Sequence, residues 1–176
     1  EKKISSQTVY KGNFLDVKKD NVVLPNGKNS TREWINHPGA VVIVPILPNG
    51  KIALIRQFRY AMGSEFIELP AGKIDKGETP DECAIRELEE EIGFKTKNLN
   101  FIAMIHPAIG FANENMSLYL ATDLVQTNIN RDSDEFLELM PTSLEHALDL
   151  VWSNKITDVK TIIGILWYQK IYQESI

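Results

Sequence analysis

Along the first third of the chain, apolar residues fall in short blocks separated by turn residues, the pattern of strands and hairpins. Val22-Val23-Leu24 and Glu33-Trp34-Ile35 flank Pro25-Asn26-Gly27, while Val41 to Leu47 and Lys51 to Arg56 flank Pro48-Asn49-Gly50. Asn-Gly accepts positive φ at little cost, so both pairs are expected to close as hairpins. The repeated Leu-Pro-Asn-Gly reads as shared turn chemistry rather than a structural repeat. Lys51 to Arg59 is mostly apolar, as in a central strand, with Arg56 and Arg59 at its far end, and Phe66 to Pro70 reads as another short strand.

The best-marked helix follows. Thr79 is the expected N-cap, Pro80 the first helical residue, Glu82 the partner in a capping box and Gly93 the stop. Beyond it, Phe101 to Ile105 and Ser117 to Ala121 read as strands around a loop from His106 to Met116, and Phe136 to Met140 as one more. Thr142-Ser143-Leu144-Glu145 opens a helix to about Ser153, and Asp158 opens a last one to about Gln173, with Ile162, Ile163 and Leu166 on its core side. Strands, a helix, strands and then helices predict an α+β fold with a mixed sheet between helical layers.

Composition narrows the function. The chain has 176 residues, 43% hydrophobic and 24% charged, as expected of one soluble globular domain. It has no apolar run of membrane-spanning length and no apolar stretch at its start, and its lone Cys83 can form no internal disulfide, so a cytoplasmic protein is expected. The net charge of −5 sits unevenly. Gly72 to Phe94 holds eight acids (Asp75, Glu78, Asp81, Glu82, Glu87, Glu89, Glu90, Glu91) against three bases (Lys73, Lys76, Arg86), so the rest is neutral. With no basic stretch, nucleic acid is not an expected ligand. Composition alone favours a solvated acidic helix face over a cation site.

Helical geometry shifts that balance. At about 100° per residue, Glu87, Glu90 and Glu91 share an arc of roughly 100°, with Cβ atoms about 5–6 Å apart. Like charges so close repel unless they face water or a cation. Arg86 sits four residues before Glu90, and Lys95, four after Glu91, lies beyond the Gly93 stop. Magnesium takes a few carboxylates and leaves its other positions to water and phosphate, so a phosphate-processing metal site becomes a serious reading.

The spacing decides it. Gly72, five residues, Glu78, seven residues, Arg86-Glu87, Leu88, Glu89, Glu90-Glu91, Ile92, Gly93 and Phe94, as they stand here, resemble the Nudix box at every defined position. The resemblance implies a Nudix α/β/α sandwich that cuts pyrophosphates with Mg²⁺, Mn²⁺ being possible, at two or three ions per site. It makes Glu87, Glu90 and Glu91 the metal ligands, with the Ala71 carbonyl a further one. Arg86 would brace the carboxylates, Glu78 would tie the loop to the helix, and Gly72 would let the backbone pass close to the metal.

The rest of the chain resembles the ADP-ribose pyrophosphatase branch, which also holds hydrolases of other nucleotide sugars. The markers are His37-Pro38-Gly39-Ala40-Val41, Arg56-Gln57-Phe58-Arg59-Tyr60, Glu68-Leu69-Pro70-Ala71-Gly72, Gly110-Phe111-Ala112-Asn113-Glu114 and Asp158-Val159-Lys160-Thr161. By resemblance, residues 1–36 form a strand and hairpin arm exchanged between the subunits of a homodimer, and residues 37–176 the Nudix domain. Glu114 would activate or orient the attacking water, Glu68 would lie near the metals, and Arg56 and Arg59 would bind substrate, Arg59 at the diphosphate. The alternatives are an exposed loop acid for Glu114 and a structural ion pair for Arg59. Trp34 is the base-stacking candidate against ordinary packing, and Arg32 could meet phosphate or ribose. His37, His106 and His146 are given no chemistry, and Cys83 is read as core.

One departure from the branch stands out: Ala108-Ile109-Gly110-Phe111 replaces its common Ser-Pro-Gly-Phe. That departure weakens ADP-ribose as sole substrate: it stays the first expected one, with GDP-mannose or a broader nucleotide-sugar range open. The other readings are a housecleaning nucleoside triphosphatase, a nucleotide-binding regulatory module without catalysis, and a prenyl diphosphate isomerase. The last needs a catalytic cysteine outside the box, which this chain lacks.

Overall fold

A computed structural model describes residues 1–127 and 136–174, which divide into two compact units. The first comprises residues 1–39 and 106–115. Its strands β1 (Lys2–Lys11), β2 (Asp16–Val23) and β3 (Asn29–Ile35) form an antiparallel sheet in that order. The β2–β3 turn is the Pro25-Asn26-Gly27 hairpin expected, closed by Gly27 N donating to Leu24 O at 2.9 Å and Leu24 N donating to Lys28 O at 2.8 Å, with Gly27 at φ 80°. The hydrophobic pattern marks no bounds for strand β1, because it is exposed along its whole length and carries no alternation to read. The 106–115 loop joins this unit through Ile35 N donating to Phe111 O at 2.8 Å.

The second unit comprises residues 40–105 and 116–176. Strand β4 (Ala40–Pro45) is buried at every residue. It runs parallel to β9 (Met116–Gln126) and antiparallel to β7 (Ala71–Lys73), and β8 (Phe94–Ile105) completes a mixed sheet in the order β7-β4-β9-β8. A second, antiparallel sheet has the order β10-β5-β6, from β10 (Leu137–Thr142), β5 (Ile52–Arg59) and β6 (Ser64–Glu68).

The hairpin expected at Pro48-Asn49-Gly50 is corrected by this topology. The turn is present, with Gly50 at φ 78° and its N–H donating to Leu47 O at 2.8 Å. Pairing then stops at a single Ile46–Ile52 bridge. Both edges of β4 are taken by β7 and β9, so β5 leaves to found the other sheet.

Alternation along β4 serves two cores. Val42 and Val44 pack with Leu54, Leu118, Ala147 and Ile165, whereas Val41 and Ile43 pack with Ile55, Cys83, Ala84 and Leu88. The first core is covered by α2 (Leu144–Trp152) and α3 (Val159–Glu174), the second by α1 (Pro80–Ile92). The α+β architecture with helices on either side of the sheet region is thus the one expected.

Helix α1 begins and ends where its punctuation says. The Thr79 side chain accepts from Glu82 N, the Glu82 side chain returns to Thr79 N, Pro80 opens the helix and Gly93 ends it at φ 72°. Such a cap contributes about 1 kcal/mol. On α3, Ile162 and Ile163 are half-buried and pack against the first core as expected, Leu166 is half-buried, and Thr161, Gly164, Ile165 and Tyr168 are the buried residues beside them. A Cβ on Gly164 would lie 2.3 Å from the Leu69 side chain, so the helix is drawn tightly onto that strand end. No helix among the described residues is long and apolar enough to cross a membrane.

Candidate active site

The acidic helix presents its carboxylates inward. Glu87 is 8% exposed and Glu91 3%, with Glu90 half-buried beside them. Buried carboxylates need partners, and a single guanidinium supplies most. Arg86 donates through Nη1 to Glu87 at 2.7 Å and Glu90 at 2.8 Å, and through Nε and Nη2 to Glu78 at 2.8 and 2.9 Å. Its Nη2 also donates to Lys73 O at 3.2 Å. These hydrogen bonds raise the Arg86 pKa and hold the Glu78 carboxyl down at about 2. Repulsion along the helix is therefore relieved more than one i, i+4 pair would allow, because Arg86 also reaches its neighbour Glu87. Lys95 turns instead to Glu89, at 3.0 Å.

Strand β7 lies hard against this face. A Cβ on Gly72 would sit 1.7 Å from Glu87 Oε1, and the next residue back, Ala71, donates its N–H to Glu91 Oε2 at 3.2 Å. Cys83, on the same helix, points to the Gly72 and Lys73 carbonyls, and burial pushes its thiol up to about 12. A thiol so placed is packing, not a nucleophile.

The donor set suits a hard divalent cation. Among the described residues no three of His, Cys, Asp and Glu are already drawn together as a ligand cage, since Arg86 spaces Glu87 and Glu90. The oxygens are all carboxylate or carbonyl, however, and Gly72 leaves the room that Glu87 fills. The donor chemistry is that of a site for a hard divalent cation.

A second cluster stands at the ends of β5 and β6. Arg59 grips Glu68 with two parallel bonds, Nε at 2.7 Å and Nη2 at 2.6 Å, and the Lys160 ammonium also donates to Glu68. Burial pushes the Glu68 carboxyl up, but these two cations outweigh it and hold it below its ordinary value. Arg56 stands apart from this cluster, paired with Glu138 at 3.0 Å.

The remaining candidates belong to the first unit. Trp34 is half-buried, its indole N–H donating to Asp20 at 3.0 Å. Arg32 bonds Glu1 and the Thr31 carbonyl. Glu114 has its Oε1 3.8 Å from His37 Nε2, and His37 Nδ1 accepts from Gly39 N at 3.1 Å. Sequence reasoning gave His37 no chemistry and Lys160 no role. The Asp158-Val159-Lys160-Thr161 marker contains the lysine and the His37-Pro38-Gly39-Ala40-Val41 marker the histidine, but neither marker named a role for them.

Known proteins sharpen these observations. Residues 36–159 match the NUDIX domain, and residues 1–35 match the nucleoside diphosphate sugar hydrolase N-terminal domain. A relative named ADP-ribose pyrophosphatase from Bacillus subtilis (strain 168) is 42% identical over 171 residues, spanning 96% of this chain and 92% of its own. A methanol dehydrogenase activator from Bacillus methanolicus is 36% identical over the same shares of the two chains. Among solved structures, one titled as an ADP compounds hydrolase superposes with a TM-score of 0.88 at 25% identity, covering 99% of this chain and 96% of its own. With the box carboxylates gathered on α1 and the NUDIX domain matched over most of the chain, the chain belongs to the Nudix family and is a Nudix hydrolase.

Proposed function

We propose that this hydrolase cuts the pyrophosphate of nucleoside diphosphate sugars, ADP-ribose first, adding water across the P–O–P link to give a nucleoside monophosphate and a sugar phosphate. The observation that carries the reading is the carboxylate face of α1, packed on Gly72 and braced by Arg86. Its substrate class is supported by the relative named ADP-ribose pyrophosphatase and by the N-terminal domain match.

In this reading Glu87, Glu90, Glu91 and the Ala71 carbonyl hold Mg²⁺, two or three ions per site, with Mn²⁺ as a substitute. The metal, when bound, neutralises phosphate charge and lowers the pKa of coordinated water. The chain's own residues do the rest. Arg86 keeps the carboxylates apart and oriented, and Glu78 fixes Arg86. Gly93, by ending α1, sets where the acidic face stops. Arg59 meets the diphosphate, with Glu68 setting its pose, and Arg56 binds substrate elsewhere. Glu114 takes or steers the proton of the attacking water, and His37 holds Glu114. Trp34 stacks on the base, its edge fixed by Asp20, and Arg32 serves phosphate or ribose.

The test is a substrate panel: purified protein with Mg²⁺, offered ADP-ribose, GDP-mannose, other nucleotide sugars and nucleoside triphosphates, with products identified by mass. Nucleoside monophosphate and sugar phosphate from ADP-ribose are expected. Turnover of triphosphates alone would overturn the reading. The Ala108-Ile109-Gly110 departure makes GDP-mannose the second compound to examine.

The chain is further proposed to act as a homodimer through the 1–36 arm. Its exposed Ile4, Val9, Tyr10, Phe14 and Leu15 support this, because exposed apolar patches mark interfaces. Sedimentation of the intact protein is expected to give twice the 20.0 kDa chain mass, and a monomer at assay concentrations would contradict it.

A further inference from the structure

A charge cluster outside the acidic helix, built around buried Glu68, joins β5, β6 and the start of α3. Glu68, ending β6, is 2% exposed and is held by Arg59 and Lys160 together. Lys160 also donates to Asp158 Oδ2 at 2.9 Å. That same oxygen accepts from Thr161 N at 3.0 Å and Thr161 Oγ1 at 2.6 Å, fastening the first turn of α3 beneath the lysine. Thr161 Oγ1 in turn accepts from Leu69 N at 2.8 Å, beside Glu68 in the chain.

Exposure across this cluster is uneven. The side chains of Glu68, Lys160 and Asp158 are 3%, 10% and 19% exposed, while that of Arg59 is 43% exposed. A solute therefore meets the cluster at the guanidinium. Nε and Nη2 of Arg59 are committed to Glu68, and Nη1 lies outside that pair. Asp158 draws on the N-terminus of α3 for part of its compensation, because backbone N–H groups there favour an anion. Lys160 is thus the second cation available to Glu68. If it were absent, Arg59 alone would neutralise Glu68, and the pair would offer an approaching anion no net charge. The charge of Glu91 also reaches Arg59, so the cluster lies within electrostatic range of the acidic helix.

We propose that Lys160 is a positioning residue of this hydrolase: by sharing the charge of Glu68, it leaves Arg59 a cationic edge for the substrate diphosphate. The proposal rests on the nucleotide-sugar reading above. Lys160 itself touches no substrate. Its effect is carried through Glu68 to Arg59.

The test is steady-state kinetics of the full chain with ADP-ribose and Mg²⁺, or with whichever nucleotide sugar the panel shows it to cut. Lys160→Gln is expected to raise KM about 10-fold and to change kcat less than about 3-fold, as for one unit charge removed at roughly 10 Å in a partly screened medium. Lys160→Arg restores KM to within about 3-fold of wild type, because the charge returns. In an Arg59→Gln background, Lys160→Gln adds nothing further to KM. A purely structural lysine would lower the melting temperature without this KM-selective, Arg59-dependent pattern. An unchanged KM in folded Lys160→Gln, or an additive loss with Arg59→Gln, overturns the proposal. Where Lys160→Gln does not fold, Lys160→Gln with Asp158→Asn keeps the buried charge balanced and is expected to show the same KM rise. Failure of both to fold makes Lys160 structural and also overturns it. A wild type that cuts no nucleotide sugar sinks the substrate reading first and the proposal with it. A wild type that cuts one, with KM indifferent to Lys160, sinks the proposal alone.

Discussion

Glu91→Gln is expected to lower turnover by at least ~10²-fold while the fold persists, the range for losing a positioned electrostatic or acid–base group. The substitution keeps the shape of the side chain and removes its charge. Glu91 is 3% exposed and accepts from Ala71 N, a bond that the glutamine carbonyl oxygen can also accept. Burying a neutral amide in place of a carboxylate costs the structure little, so the deficit should appear in catalysis and not in stability. Glu90→Gln is expected to behave alike, since Arg86 retains Glu78 and Glu87 as partners. The check is kcat with saturating Mg²⁺ beside thermal melting of each variant. Near-wild-type turnover in both would remove the carboxylates from the mechanism.

Gly72→Ala is the second large effect. The added methyl would lie 1.7 Å from Glu87 Oε1, 1.9 Å from its carboxyl carbon and 2.6 Å from its Cγ, so no small adjustment accommodates it. Either Glu87 swings out, breaking its 2.7 Å bond with Arg86, or β7 retreats from α1 and carries Ala71 with it. Both displace a proposed metal ligand by an ångström or more. A misplacement of that size costs on the order of 10²-fold in rate, and overpacking costs about 1–3 kcal/mol in stability. Chemical denaturation and kcat measured on the same preparation report both losses. A variant with unaltered kcat would mean that the close approach of Gly72 to Glu87 has no part in the reaction.

How far these features could be read in the chain depends on how local their causes are. Helix α1 was legible to the residue at both ends because Thr79, Pro80, Glu82 and Gly93 act within one turn of where they stand. The Asn49-Gly50 turn was legible for the same reason, yet its strands separate, because the partners of β4 come from residues 71–73 and 116–121, which no local pattern names. Strand β1 has no buried residue to set a period. On α3, the hydrophobic spacing marked Ile162 and Ile163, which do pack on the core, but not the close approach of Gly164 to Leu69, which depends on a residue from a distant strand end.

The site divides in the same way. Glu87, Glu90 and Glu91 lie on one helix, so their shared face follows from helical geometry alone. That Arg86 also binds Glu78 and Glu87 depends on rotamers and on the loop before the helix, which spacing does not fix. Lys160 meets Glu68 across 92 residues of sequence, and His37 meets Glu114 across a similar distance, so neither pairing was visible until the chain had folded.

Everything proposed for the reaction depends on divalent ions being held by the inward carboxylates of α1. The most direct measurement is diffraction at the manganese absorption edge from crystals of the wild-type protein grown with Mn²⁺ and a non-hydrolysable ADP-ribose analogue. Anomalous peaks within coordination distance of the Glu87, Glu90 and Glu91 oxygens are predicted, at about 2.0–2.6 Å for hard cations. Clear density for the bound analogue with no anomalous peak beside those three side chains would contradict the account.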